Sequence, residues 1–168
     1  MTTRLFRILA ISSVLLATPI KAPAAEGTVT FEMLKPETAL TAAQAALERC
    51  SEEGFQSTIA VVDRFGGVQV VLRDQLASPR TVRTASGKAK TAVGFRTNTT
   101  ELVSVTDHGE PASGLRNLPG MVMVGGGVII EAAGSLDGGI GVSGAPGGDM
   151  DDLCAFAGID AIEDELEF

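Results

Sequence analysis

The chain has 168 residues, of which 45% are hydrophobic and 20% charged, which suits one domain with a substantial core and leaves too little for two. With no Trp or Tyr, seven Phe and a formal charge of -8, it lacks the basic surface and aromatic platforms of a nucleic-acid binder. A single His (His108) and two Cys (Cys50, Cys154) exclude a His/Cys zinc cage and make any Ser-His or Cys-His catalysis depend on one imidazole.

Residues 1–25 read as a secretory signal peptide. Arg4 and Arg7 give a positive start, Ile8 to Leu16 a short apolar run, and Ala22-Pro23-Ala24 a small-residue cleavage site. The run is closed by Pro19 and Lys21 and falls short of the about 20 apolar residues that a membrane span needs. An uncleaved anchor is the competing reading; after cleavage no stable membrane insertion is expected. Loss of Arg4, Arg7 and Lys21 moves the formal charge from -8 to -11, since this segment holds no acidic residue. A short arm, 26–34, then leads into one domain, 35–168, in a periplasmic or secreted protein.

Within that domain, Leu40, Ala43, Leu47 and Cys50 recur at helical spacing, and Gly54 stands where a helix stops. Ser57 to Asp63 and Val68 to Arg73 are short, β-branched runs around Arg64-Phe65-Gly66-Gly67, which reads as a hairpin. From Pro79 the pattern is helical, with Val82, Ala85, Ala89 and Val93 on one face; Thr99 or Thr100 then opens a short helix to Val105. Met121–Val124, Val128–Ala132 and Gly138–Gly144 read as three strands, and Asp149 precedes a last helix with Cys154, Ala157 and Ala161 on one face. An acidic tail runs from Glu163 to Glu167. The order α-β-β-α-α-β-β-β-α predicts an α+β domain in which helices flank a five-stranded antiparallel sheet.

The stretches STIAVVDRFGGVQVVLRD, GKAKTAVGFRTNT and LPGMVMVGGGVIIEAAGSLDGGIGVSGAPGGDMDDLCAFAGIDAI together resemble the GlcG/HbpS family of haem-binding proteins, in that family's order and over about residues 35 to 164. The resemblance implies a profilin-like domain that oligomerises, with haem as cofactor in some members, bound or degraded. Other members accompany hydroxy-acid or cobalamin metabolism.

Charge distribution carries the site reading. Arg73, Arg80, Arg83, Lys88, Lys90 and Arg96 lie within 24 positions, opposed only by Asp74. Either they decorate a solvated helix face, or they hold a small anionic ligand: haem propionates and hydroxy-acid carboxylates both match Arg forks and ammonium groups. The residues chosen for such ligand binding are Arg83, Lys88 and Arg96. His108, in the polar turn Thr106-Asp107-His108-Gly109-Glu110, is the one imidazole available to haem iron, although a loop His is ordinarily solvated; Met121, Met123 and Met150 fit core packing better.

The glycines at 125–127 and 138–148 lack a P-loop ending and suit tight turns, with 144–148 as an alternative lip for a carboxylate at a helix start. Asp63, Asp149, Asp151 and Asp152 read as turn and helix-start residues before they read as acids, bases or cation ligands.

The leading reading is an exported protein that binds haem through a basic helix and an oligomeric pocket. Its rivals are an enzyme or accessory factor for a small carboxylate such as a hydroxy acid, and a structural or sensory homo-oligomer; no catalytic constellation identifies an enzyme. Cys50 and Cys154 fall on the apolar faces of the first and last helices. In an oxidising compartment they can form a disulfide if those helices touch; two buried thiols are the other outcome. For export, mass spectrometry of the protein from its native host should find an N-terminus at Ala25 or Glu26, and the full-length chain in the cytoplasm would refute it.

Overall fold

The computed structural model describes residues 26–166, so residues 1–25, read above as a signal peptide, lie outside the described residues. Residues 26–31 are exposed and carry no helix or strand, and the compact unit begins at Glu32. Its elements are α1 (Pro36–Glu52), β1 (Thr58–Asp63), β2 (Val68–Arg73), α2 (Arg80–Phe95), α3 (Thr99–Val105), a 3-10 turn (Ser113–Asn117), β3 (Gly127–Ala132), β4 (Ser135–Ser143), α4 (Gly148–Asp160) and α5 (Glu163–Leu166).

Pro36 opens α1, where its fixed φ and missing N–H suit the first turn, and Gly54, at φ +81, follows its end. The buried stripe of α1 is almost all small: Thr38, Ala39, Ala42, Ala43, Ala46 and Cys50. Small side chains let α4 come close. A Cβ added at Gly158 of α4 would stand 2.6 Å from the Ala42 carbonyl oxygen.

The sheet is antiparallel throughout, in the order β2-β1-β4-β3. Successive β1 side chains separate its two faces. Ile59 and Val61 join α1, α4, Val128, Ile130, Ile140 and Val142 in the main core, whereas Val62 joins Ala89, Val93 and Leu136 under α2. The domain is thus three layers: α1 and α4, the sheet, and α2.

The α+β class agrees with the sequence, but the sheet has four strands, not five. Met121–Val124 forms no strand, because the backbone donors it would need on the outer side of β3 are already taken. The Gly127 N–H donates to Thr99 Oγ1 at 2.8 Å and the Ile129 N–H to Asn98 Oδ1 at 3.1 Å. Side chains from the α2–α3 junction therefore close that edge, a common way of blunting an edge strand. Val122 is tied instead to α2, its N–H donating to Thr91 Oγ1 at 3.0 Å.

Two further departures are local. Ser113–Asn117, between α3 and β3, forms a 3-10 turn, and Glu163–Leu166 of the acidic tail is helical. Asp63 is a turn residue, its Oδ1 accepting the N–H groups of Phe65 and Gly67, both at 2.8 Å.

Cys50 and Cys154 form a disulfide between α1 and α4, with Cα atoms 5.4 Å apart and a sequence separation of 104. Closure of so long a loop restricts the unfolded chain and is worth about 2–5 kcal/mol. Thiol counting under denaturing, non-reducing conditions should find no reactive thiol in the monomer, and Cys50→Ala should lower the unfolding free energy by that amount. Two titratable thiols would refute the bridge.

Candidate functional site

The basic helix α2 is placed by glycines on the strand beneath it. A Cβ at Gly139 would lie 2.7 Å from Val93 Cγ2, and one at Gly141 would overlap the Ala85 carbonyl oxygen and stand 2.7 Å from the Ala89 nitrogen. Only Gly lets the helix backbone approach a strand this closely. Ala85, Ala89, Ala92 and Val93 face the sheet, so the remaining positions of α2 fix where each cation points.

Lys88 points inward. It is 2% exposed, and its Nζ lies 2.6 Å from Asp151 Oδ2, in the first turn of α4. The pair joins helices from opposite faces of the sheet. Gly126 crosses directly over it: a Cβ there would stand 2.5 Å from Asp151 Cβ and 2.8 Å from Lys88 Nζ. The other carboxylate oxygen, Asp151 Oδ1, accepts the Ala145 N–H at 3.1 Å. Burial pushes the Asp151 carboxyl above the ordinary aspartate range, while Lys88 and the Ala145 N–H pull it down.

Asp152 completes this clamp, accepting the Gly126 N–H at 2.6 Å and the Thr100 hydroxyl. The glycines of 125–127 and 144–148 therefore accommodate close backbone packing at the start of α4. An added anion there would meet Asp149, Asp151 and Asp152 as like charges.

The other cations separate. The Arg73 guanidinium donates to the carbonyls of Asp74, Gln75 and Ala77, which stiffens the β2–α2 loop. Lys90 is exposed beside the β1–β2 turn at Gly66. Arg96 caps α2 at φ +53, and the helical rise puts it about 20 Å along the axis from Arg83. The structure thus does not bring Arg83, Lys88 and Arg96 to one point.

Arg80 and Arg83 do come together. With Pro79 and Thr84 they line an open cavity of about 580 Å³ at the amino end of α2. Both are exposed, no acidic residue lies in the first turn of the helix, and no ion pair among the described residues engages either. The helix dipole adds its positive end to two guanidinium groups three residues apart on one face. Sequence reasoning placed Arg80 in the cluster without singling it out; the acid-free i, i+3 pair at a helix start was the available signal.

His108 is exposed on the loop after α3 and does not line this cavity. Met123 is buried, Met121 and Met150 half-buried. Among the described residues no group of three or more His, Cys, Asp or Glu side chains is arranged to hold a metal ion, and no helix is long and apolar enough to cross a membrane.

Comparison with known proteins places this geometry in context. A family model described as haem degrading protein HbpS-like matches residues 34–160. A crystal structure of a double mutant of Streptomyces reticuli HbpS is 36% identical, superposes with a TM-score of 0.77, and covers 88% of this chain and 98% of its own. A second HbpS crystal structure is 37% identical, with a TM-score of 0.76 and coverage of 84% and 99%. The crystal structure of a PduOC–haem complex is 31% identical, with a TM-score of 0.73 and coverage of 77% and 95%. No curated protein matches the chain.

Removal of one member of the Lys88–Asp151 pair strands the other charge in the interior, at a cost of about 3–5 kcal/mol. Lys88→Met should therefore lower the denaturant midpoint sharply, and addition of Asp151→Asn should recover part of the loss. Additive losses in the double variant would show that the two residues act independently.

Proposed function

Because the chain belongs to the HbpS-like family of haem-degrading proteins, we propose that it is an exported haem-binding protein that takes the propionate edge of haem on Arg80 and Arg83 of α2. The observation that carries this reading is the unpaired guanidinium couple at a helix start with no competing acid. Two carboxylates on one edge of a ligand match two charge-assisted, fork-shaped donors.

The fit to haem is clear for its anionic edge and incomplete for its macrocycle, since the cavity is walled by one helix end. We assign the missing wall to a second copy of the chain. Apolar surface for a macrocycle or a neighbour lies on the same side of the sheet. Val68 and Val71 pair with Val62 and Ala60, which places them on the α2 face; they remain 46% and 38% exposed, and Leu76 of the next loop is 74% exposed. When bound, haem iron supplies redox and oxygen chemistry; the chain's own residues bind and orient the group. The Cys50–Cys154 disulfide supports an oxidising compartment, periplasmic or extracellular.

The exposed, polar mouth of the cavity also suits a small hydroxy acid on the same two guanidiniums, and this is the second reading. Titration of the mature protein with hemin separates the two. Haem binding gives a saturable Soret band, whereas a hydroxy-acid site gives thermal stabilisation by the acid and indifference to hemin. Arg80→Gln with Arg83→Gln should weaken hemin binding, each lost contact removing about 1.5 kcal/mol, or roughly tenfold in affinity. Arg96→Gln should leave it unchanged, and His108→Ala should keep the Soret maximum. Undiminished affinity in the Arg80/Arg83 variant would make the pair a solvated face.

A further inference from the structure

On the opposite face of the sheet, the register of β4 breaks at one residue. Ile130 pairs with Gly138 and Glu131 with Leu136, leaving Asp137 without a partner in the β3 ladder. Such a bulge re-aims a side chain. Leu136 joins the cluster under α2, and a Cβ on Gly138 would meet Leu34 Cδ1 at 3.0 Å on the α1 side. Asp137, set between them, is turned to that same α1 side, where it lines a cavity of about 520 Å³ with Leu34 and Thr38.

Asp137 is 5% exposed, yet its Oδ1 has no hydrogen-bond partner among the described residues. A buried acceptor left unpaired is costly, and this one faces a cavity large enough for a small molecule. Glu32 and Glu165 line the same space, with Lys35 as the only cation among the described residues in its walls. Glu165 gives one oxygen, Oε2, to the Thr38 hydroxyl at 2.7 Å. The rest of the lining is apolar, including Leu34 and Leu166.

We propose that this cavity binds a small organic cation, a primary ammonium on an alkyl stem, with Asp137 as its counter-charge. An ammonium supplies three donors and no acceptor, which answers the unpaired Asp137 Oδ1 in a wall where Asp137, Glu32 and Glu165 outnumber Lys35, and the stem lies along the leucines. A hard metal ion fits less well. It requires six or more oxygen ligands, and the described residues bring no three acidic side chains into a metal-holding group.

The charge environment of Asp137 gives the binding a pH signature. Burial raises its carboxyl above the ordinary aspartate range; the Ser135 hydroxyl bond and the Arg64 charge oppose this, and Glu32 reinforces it. Lys35 before α1 and Glu165 on α5 also face the cavity, while α1 contributes only the neutral Thr38. A cation binds the ionised form of Asp137, so its affinity rises as pH increases through that elevated range and levels off above it.

The test uses the mature protein with 1,4-diaminobutane and n-butylamine as probes, and sodium butyrate and calcium chloride as controls, read by calorimetric titration and by melting temperature. The amines should bind saturably and raise the melting temperature, with butyrate and calcium without effect. Asp137→Asn should cut amine affinity at least about tenfold and abolish its pH dependence, while hemin binding on the other face stays intact. Glu165→Gln, at an exposed helix position, is the second variant and should weaken the amines to a smaller degree. No saturable amine binding, undiminished binding in both variants, or a preference for calcium would overturn the proposal.

Discussion

The seat of α2 on the glycines of β4 is the constraint on which the rest of the domain turns. Gly139 and Gly141 bring the helix backbone against the strand, and once that contact is made the helix can neither rotate nor lift without opening the layer. Its rotation alone decides which cations are interior and which are exposed. Lys88 falls on the edge of the buried face and finds Asp151, whereas Arg80 and Arg83 are left at the free amino end. A bulkier strand would move the helix outward and break that division.

The same closeness explains why the domain uses covalent and ionic ties. The α1–α4 and α2–sheet contacts are built mainly from Ala and Gly, which bury little apolar area per residue. Dense packing recovers dispersion energy, and two ties, one within the α1–α4 layer and one across the sheet, secure what small side chains leave weak. The disulfide fixes α1 to α4, and the Lys88–Asp151 pair fixes α2 to the start of α4. Both ties meet on α4, so that helix anchors the two outer layers of the unit.

The two faces carry opposite charge. On the α2 side, Arg80, Arg83 and Lys90 stand exposed beside the half-covered surface of β2; on the other, α5 presents Glu163, Asp164 and Glu165 next to the cavity that holds Asp137. The domain therefore offers an anion-attracting face and a cation-attracting face, separated by one sheet.

Much of this was legible from local chemistry. Helical spacing located α1, α2 and α4, β-branched runs around a turn located β1 and β2, and a Thr at a helix start located α3, while Gly54 marked the end of α1 through backbone geometry alone. The resemblance of residues 35 to 164 to the HbpS group identified the family, and two apolar-face cysteines marked a possible disulfide, which the contact of α1 with α4 then decided. What tertiary structure decided were matters of partnership. Met121–Val124 has the composition of a strand, but Asn98 and Thr99 already occupy the edge it would join. Lys88 belongs to a basic run in one dimension and to Asp151 in three, because only chain folding brings residues 63 positions apart within 2.6 Å. Asp137 gave no signal, since a bulge is a relation between two strands and is invisible in either one. Sequence periodicity records how each residue lies relative to its own element; the partner that satisfies its charge or its hydrogen bond is fixed by packing among elements.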